Sequence, residues 1–85
     1  MKLVLYETDH CALCNEAANL VYACTKNTAH RLQRVDITEA EELMEKYQLR
    51  IPVISISGQM HNELDWPFTQ AAVKELLAAM ALNID

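Results

Sequence analysis

Lys2-Leu3-Val4-Leu5-Tyr6-Glu7-Thr8-Asp9-His10-Cys11-Ala12-Leu13-Cys14 decides the fold. Its opening run sets Leu3 and Leu5 against Val4 and Tyr6, apolar on both sides, as a central strand covered on two faces requires. Two cysteines separated by two residues can bind metal or cycle between dithiol and disulfide. A strand feeding a helix whose first turn carries the pair is the redox arrangement. A helix start leaves backbone N–H groups unpaired and bears a partial positive charge, so a cysteine there is stabilised as the thiolate.

Downstream of the pair, Leu13, Ala17, Leu20, Val21 and Cys24 fall at helical spacing, predicting a first helix from Cys11 or Ala12 to Thr25. Arg31 to Ile37 reads as a second strand, closed by Asp36. Thr38-Glu39-Ala40-Glu41 matches a capping box, which predicts a helix starting there with Ala40, Leu43, Met44 and Tyr47 inward and a Glu42–Lys46 pair outward. Pro52 to Ser57 alternates and is rich in branched residues, a third strand that turns at Gly58-Gln59 into a short partner, Met60 to Leu64. Val73, Leu76, Leu77, Met80, Ala81 and Ile84 mark a last helix, with Trp66-Pro67-Phe68 as its entry and Pro67 in its first turn. The order is strand, helix, strand, helix, strand, strand, helix. A β-α-β unit joins parallel strands and a terminal hairpin adds an antiparallel edge, so the expected architecture is α/β, a four-stranded mixed sheet with three helices on its faces.

The chain has 85 residues, enough for one domain spanning 1–85. Its apolar share of 52% supplies a core, and one glycine with two prolines excludes a low-complexity reading. Twelve acidic and seven basic side chains give a formal charge of −5 with no basic cluster, so no nucleic-acid partner is expected. Glu39, Glu41, Glu42 and Glu45 read as a solvated helix face. Three cysteines, two of them paired as CxxC, fit a reducing compartment, and no run approaches membrane-spanning length. A cytoplasmic monomer with no membrane partner is the expectation.

Strand one ending in Tyr6-Glu7-Thr8, the pair opening helix one, Ile51-Pro52-Val53 at strand three, and Glu63-Leu64-Asp65-Trp66-Pro67-Phe68 before the last helix together resemble the small bacterial glutaredoxin-like proteins of the thioredoxin-fold superfamily. The likeness spans almost the whole chain. It implies a thioredoxin-like fold, a cis Ile51–Pro52 bond beside the cysteine pair, and a backbone edge at Ile51 free to pair with an extended substrate segment. Read without the resemblance, Pro52 is a strand-start proline whose missing N–H does no harm. Glutathione-using glutaredoxins carry Thr-Val-Pro at the proline loop and paired glycines before an acidic residue near the last helix. Here Arg50-Ile51 precedes Pro52, His61-Asn62-Glu63-Leu64 stands where the glycines would be, and Asp65 alone matches. No cofactor is implied, and glutathione enters only as a co-substrate. The partner is a disulfide-containing protein or a low-molecular-weight thiol.

The expected chemistry is that of a thiol-disulfide oxidoreductase. Cys11, the more N-terminal and more exposed thiol, is the nucleophile, and Cys14 resolves the mixed disulfide from one helical turn away. Ile51, Pro52, Arg50 and Asp65 are the candidate substrate-binding residues. His10 is the candidate modulator of the Cys11 thiol, which Glu7 and Asp9 would raise if close. Cys24 reads as packing. Trp66 and Phe68 read as core anchors, and Tyr6 is a candidate wall of a substrate groove. Two alternatives stay open. A metal- or iron-sulfur-binding module could use the CxxC pair, with His10, Cys24 or His30 as further ligands, although Cys24 lies about three turns from Cys11 on a continuous helix. A redox-inert, partner-binding thioredoxin-fold protein is the other.

Overall fold

A computed structural model describes residues 2–56 and 62–82. Within these residues the elements are β1 (Lys2–Glu7), α1 (Ala12–Thr25), β2 (Arg31–Asp36), α2 (Glu41–Tyr47), β3 (Val53–Ile56), β4 (Glu63–Asp65) and α3 (Gln70–Leu82). The sheet order is β2-β1-β3-β4. β1 runs parallel to β2 and antiparallel to β3, which is antiparallel to β4, so β1 and β3 are central. The expected element order and mixed sheet are both present.

Alternation along the central strands divides the interior in two. Leu3 pairs with Ile56 and Leu5 with Ile54, so these four share one face. On it they meet Ala17, Ala18, Val21 and Cys24 of α1, Val73 and Leu77 of α3, and Phe68. The opposite face carries Tyr6 and Val53, register partners, which pack with Ile37, Tyr47, Leu43 and Met44 beneath α2. α1 and α3 therefore cover one face and α2 the other. No described helix is long and apolar enough to cross a membrane.

Several local expectations are corrected. The inward line of α1 begins at Cys14, which is fully buried, whereas Leu13 is half exposed. One helical residue is a rotation of about 100°, so Cys14 and Leu13 cannot both face the core. The capping box at Thr38 does not form. Asp36 accepts from both the Thr38 N–H (2.9 Å) and the Thr38 hydroxyl (2.7 Å), which closes a 3-10 turn over Ile37–Glu39 and delays α2 to Glu41. Ile37, expected at the end of β2, lies in that turn and is fully buried. Pro67 is outside α3. Thr69 opens that helix instead, its side-chain oxygen accepting from the Ala72 N–H at 3.1 Å and its carbonyl from the Val73 N–H. Both the Ile51–Pro52 and Trp66–Pro67 bonds are cis. The expected turn at Gly58-Gln59, with Ser57, Met60 and His61, lies outside the described residues, as do the side chains of Met80, Ala81 and Ile84.

β4 carries two carboxylates toward α2. Glu63 pairs with Ser55 and Asp65 with Val53, which puts both on the α2 face, and Leu64 on the other. There the Tyr47 hydroxyl donates to Glu63 Oε2 at 2.5 Å, Arg50 donates to Glu63 Oε1 at 2.9 Å, and Lys46 lies 3.7 Å from Oε2. Lys46 is thus directed to Glu63 rather than to the expected Glu42. Burial pushes the Glu63 carboxyl up, but the bonds from Tyr47 and Arg50 and the charges of Lys46 and Arg50 outweigh it and leave it below the usual glutamate range.

Two outcomes test this account. Thr69→Ala should lower the unfolding free energy in urea by about 1 kcal/mol, the usual worth of an N-cap, whereas a helix begun at Pro67 would be indifferent. Because Glu63 binds its proton less readily folded than unfolded, its contribution is present above the unfolded pKa and lost as pH falls through the folded one. The wild type should therefore lose stability on acidification below about pH 5, and Glu63→Gln, less stable at neutrality, should show a shallower slope there.

Candidate active site

The cysteine pair lies at the end of the sheet where β1 finishes. Tyr6 pairs with Val53, so Pro52 falls opposite Glu7, and Asp65, the partner of Val53, is at the same end. Pro52 is buried and shares the phase of Ile54, the face that α1 covers. His10, exposed, takes a left-handed φ of 58° where the chain turns from strand to helix, a conformation histidine adopts more readily than most residues.

Cys11 is the N-cap of α1, in an extended conformation, with its Sγ accepting the Cys14 N–H at 3.1 Å and its carbonyl accepting the Asn15 N–H at 3.2 Å. A donor left without a partner by the helix start is thereby aimed at sulfur. Cys11 and Cys14 are joined as a disulfide, their Cα atoms 5.2 Å apart. Cys14 is fully buried and Cys11 half-buried, so only Cys11 is open to a bulky reagent. Cys24 is separate. Its thiol lies 3.7 Å from the Gln70 carbonyl, and burial pushes it up against a small opposing effect of Lys74.

Two charged groups frame this end. Arg34 of β2 grips Glu7 with two bonds of 2.6 Å and reaches Asn15 Oδ1 at 2.8 Å, tying β1, β2 and the first turn of α1 together. Glu7 is thus countered by a guanidinium. On the proline-loop side Arg50 binds Asp65 through two bonds of 3.0 and 2.7 Å as well as Glu63, and its guanidinium lies over the Tyr47 ring. The Arg50 bonds hold the Asp65 carboxyl below its ordinary range. Tyr47 in turn stacks on Tyr6, centroids 4.1 Å apart.

The structure thus brings Arg50 and Asp65 together at the loop bearing Ile51 and Pro52. It corrects one detail: the Ile51 N–H, expected to be free, donates to the Tyr47 carbonyl at 3.1 Å, and the Pro52 carbonyl accepts the Trp66 N–H. Trp66 packs partly buried against the core, edge-on to Phe68. Arg34, Asn15, Tyr47 and Glu63 were not singled out as site residues in the sequence. Strand register places Arg34 beside Leu5 and Glu63 beside Ser55, whereas Asn15 and Tyr47 lie on helices and join the site only through tertiary packing. Among the described residues no group of three or more His, Cys, Asp and Glu side chains is placed to hold a metal ion.

The family model described as a glutaredoxin-like domain (DUF836) matches residues 2–78. The X-ray structure of Northeast Structural Genomics target protein XcR50 from X. campestris is similar at 35% identity and a TM-score of 0.71, over 91% of this chain and 96% of that one. Its solution structure gives 35% and 0.72, over 93% and 95%. Thioredoxin 1 from Thermosipho africanus, 16% identical with a TM-score of 0.71 over 98% of this chain and 97% of its own, shares the fold. No curated protein matches the chain. A thioredoxin-like sheet, a cysteine pair capping its first helix and a family match over nearly the full length together place the chain in the glutaredoxin-like domain (DUF836) family.

Proposed function

We propose that the chain is a cytoplasmic thiol-disulfide oxidoreductase acting through Cys11 and Cys14. The observation that carries this is the asymmetry of the pair: Cys11 Sγ sits at the helix N-cap, accessible and facing a backbone donor, while Cys14 is wholly enclosed. An N–H directed at sulfur strengthens as a hydrogen bond when sulfur becomes anionic, so the reduced Cys11 is held as a thiolate. It attacks a substrate disulfide, forming one S–S bond as the substrate's own breaks and releasing a substrate thiolate. Cys14, deprotonated, then attacks Cys11 Sγ, closes the internal disulfide and releases the second substrate thiol. The substrate gains two electrons and the protein dithiol loses them.

The remaining assignments follow from position. Pro52 and the Ile51 carbonyl form the edge against which a disulfide-bearing segment lies, with Arg50 and Asp65 at its border, and His10 adjusts the neighbouring thiol. The acceptor is a protein disulfide or a low-molecular-weight one, and the domain works as a monomer without a bound cofactor.

In a Cys14→Ser variant, reduced and then treated with bis(2-hydroxyethyl) disulfide, mass spectrometry should find one stable mercaptoethanol adduct, on Cys11. Adduct formation should follow a thiol pKa of roughly 3.5 to 7.5, read from thiolate absorbance. Absence of an adduct on Cys11, or equal labelling of Cys24, would remove the dithiol mechanism.

A further inference from the structure

The lysines and arginines at the Cys11 end of the sheet, among the described residues, are Arg34, Lys46 and Arg50, and every one of them is already engaged; His10, exposed beside Cys11, is the one further basic side chain there among the described residues. Arg34 is closed on Glu7, Arg50 on Glu63 and Asp65, and Lys46 on Glu63. Their positive charge is cancelled within the protein. Carboxylates at this end are in excess. Asp9 is exposed two residues before Cys11, which limits their Cα separation to about 7 Å. Asp36, beside Glu7 in the register, accepts only from Thr38 and has no cationic partner among the described residues. Half of the Asp65 side-chain surface also remains exposed while its oxygens hold Arg50.

We infer that Cys11 selects disulfides by charge, taking neutral or cationic ones, such as a protein cystine flanked by lysine or arginine, in preference to anionic ones. This rests on the oxidoreductase reading above and adds the substrate class. In the first step the attacking thiolate is itself negative, and its charge spreads over the attacked and departing sulfurs until a substrate thiolate leaves. An anionic substrate group adds repulsion from that sulfur and from Asp9, and finds at this end, among the described residues, no unengaged guanidinium or ammonium to offset it. A cationic group is attracted to both. One unit charge at about 7 Å in water changes a rate roughly threefold, so substrates of opposite sign should differ on the order of tenfold.

The test uses the reduced full chain at pH 8 with three disulfides: cystamine, bis(2-hydroxyethyl) disulfide and dithiodiglycolate. Each second-order rate constant is divided by that of the same disulfide with 2-mercaptoethanol, which removes intrinsic reactivity. The expected order is cystamine, then the neutral disulfide, then dithiodiglycolate, with a spread on the order of tenfold at about 0.01 M ionic strength that largely collapses at about 1 M. Asp9→Asn, which alters an exposed side chain, should narrow the cystamine-to-dithiodiglycolate ratio by most of that spread, on the order of tenfold. Equal normalised rates, or faster reaction of dithiodiglycolate, would overturn the charge selection and leave the oxidoreductase reading standing. No reaction with any of the three would overturn both.

Discussion

The antiparallel pairing of β1 with β3, with Tyr6 against Val53 and Leu5 against Ile54, is the constraint on which the other features depend. Both strands are central, so each side chain must satisfy one of two interiors, and a slip of one residue would exchange them. With the register fixed, Leu3, Leu5, Ile54 and Ile56 form the floor for α1 and α3, and Tyr6 and Val53 the floor for α2. The same register aligns the finish of β1 with the start of β3. The loop that leads into Cys11 and the loop that contains Pro52 are therefore brought to one end of the sheet by backbone pairing, without any direct bond between them.

From that placement the chemistry of the pair follows through the helix terminus. α1 must begin just after β1 ends, and its first N–H groups have no intrahelical acceptor. Two other helical starts meet the need with side-chain oxygen, Asp36 at the 3-10 turn and Thr69 at α3, while α2 opens on Ala40 without a side-chain cap. At α1 the cap is sulfur. A neutral sulfur is a weak acceptor and a thiolate a strong one, so the unmet demand of a helix start favours the thiolate of a cysteine placed there. The next cysteine falls on the inward side of the helix and is closed off by the core. The difference in exposure between the two cysteines is thus a consequence of helical phase.

Much of this was legible in the chain because it is written in local patterns. Helical spacing in Ala17, Val21 and Cys24 and alternation in Pro52 to Ile56 gave the elements, and CxxC after an apolar strand gave the pair. What the sequence misplaced were helix starts, where several caps compete within a few residues. Thr38 satisfied the capping-box pattern, yet Asp36 reached its N–H first and Ile37 was drawn into the core, so the helix began later. Pro67 suited a first turn, but Thr69 offered a side-chain acceptor closer to Ala72. The charged partners were illegible for another reason. Arg34 and Glu7 are far apart in sequence, as are Arg50 and Asp65, and only the register of neighbouring strands and the end of α2 bring them together.

The engagement of Arg50 has its origin in β4 rather than in the cysteine pair. Alternation over Glu63-Leu64-Asp65 spends the middle residue on the core shared with Ile54, which forces both acids onto the α2 face. Glu63 is nearly buried there, with 9% of its side chain exposed, and a buried carboxylate requires donors or it protonates. Tyr47, Lys46 and Arg50 supply them, and they come from the last turn of α2 and the residues after it because that segment lies over β4. Arg50 is therefore bound by a structural demand of the fold, and Asp65 accepts from its Nε and Nη2. A guanidinium committed in this way contributes planar surface over Tyr47 and a fixed border to the proline loop, while its charge is spent inside the fold. The charge balance beside the proline loop is set by how a three-residue edge strand divides its side chains between two faces.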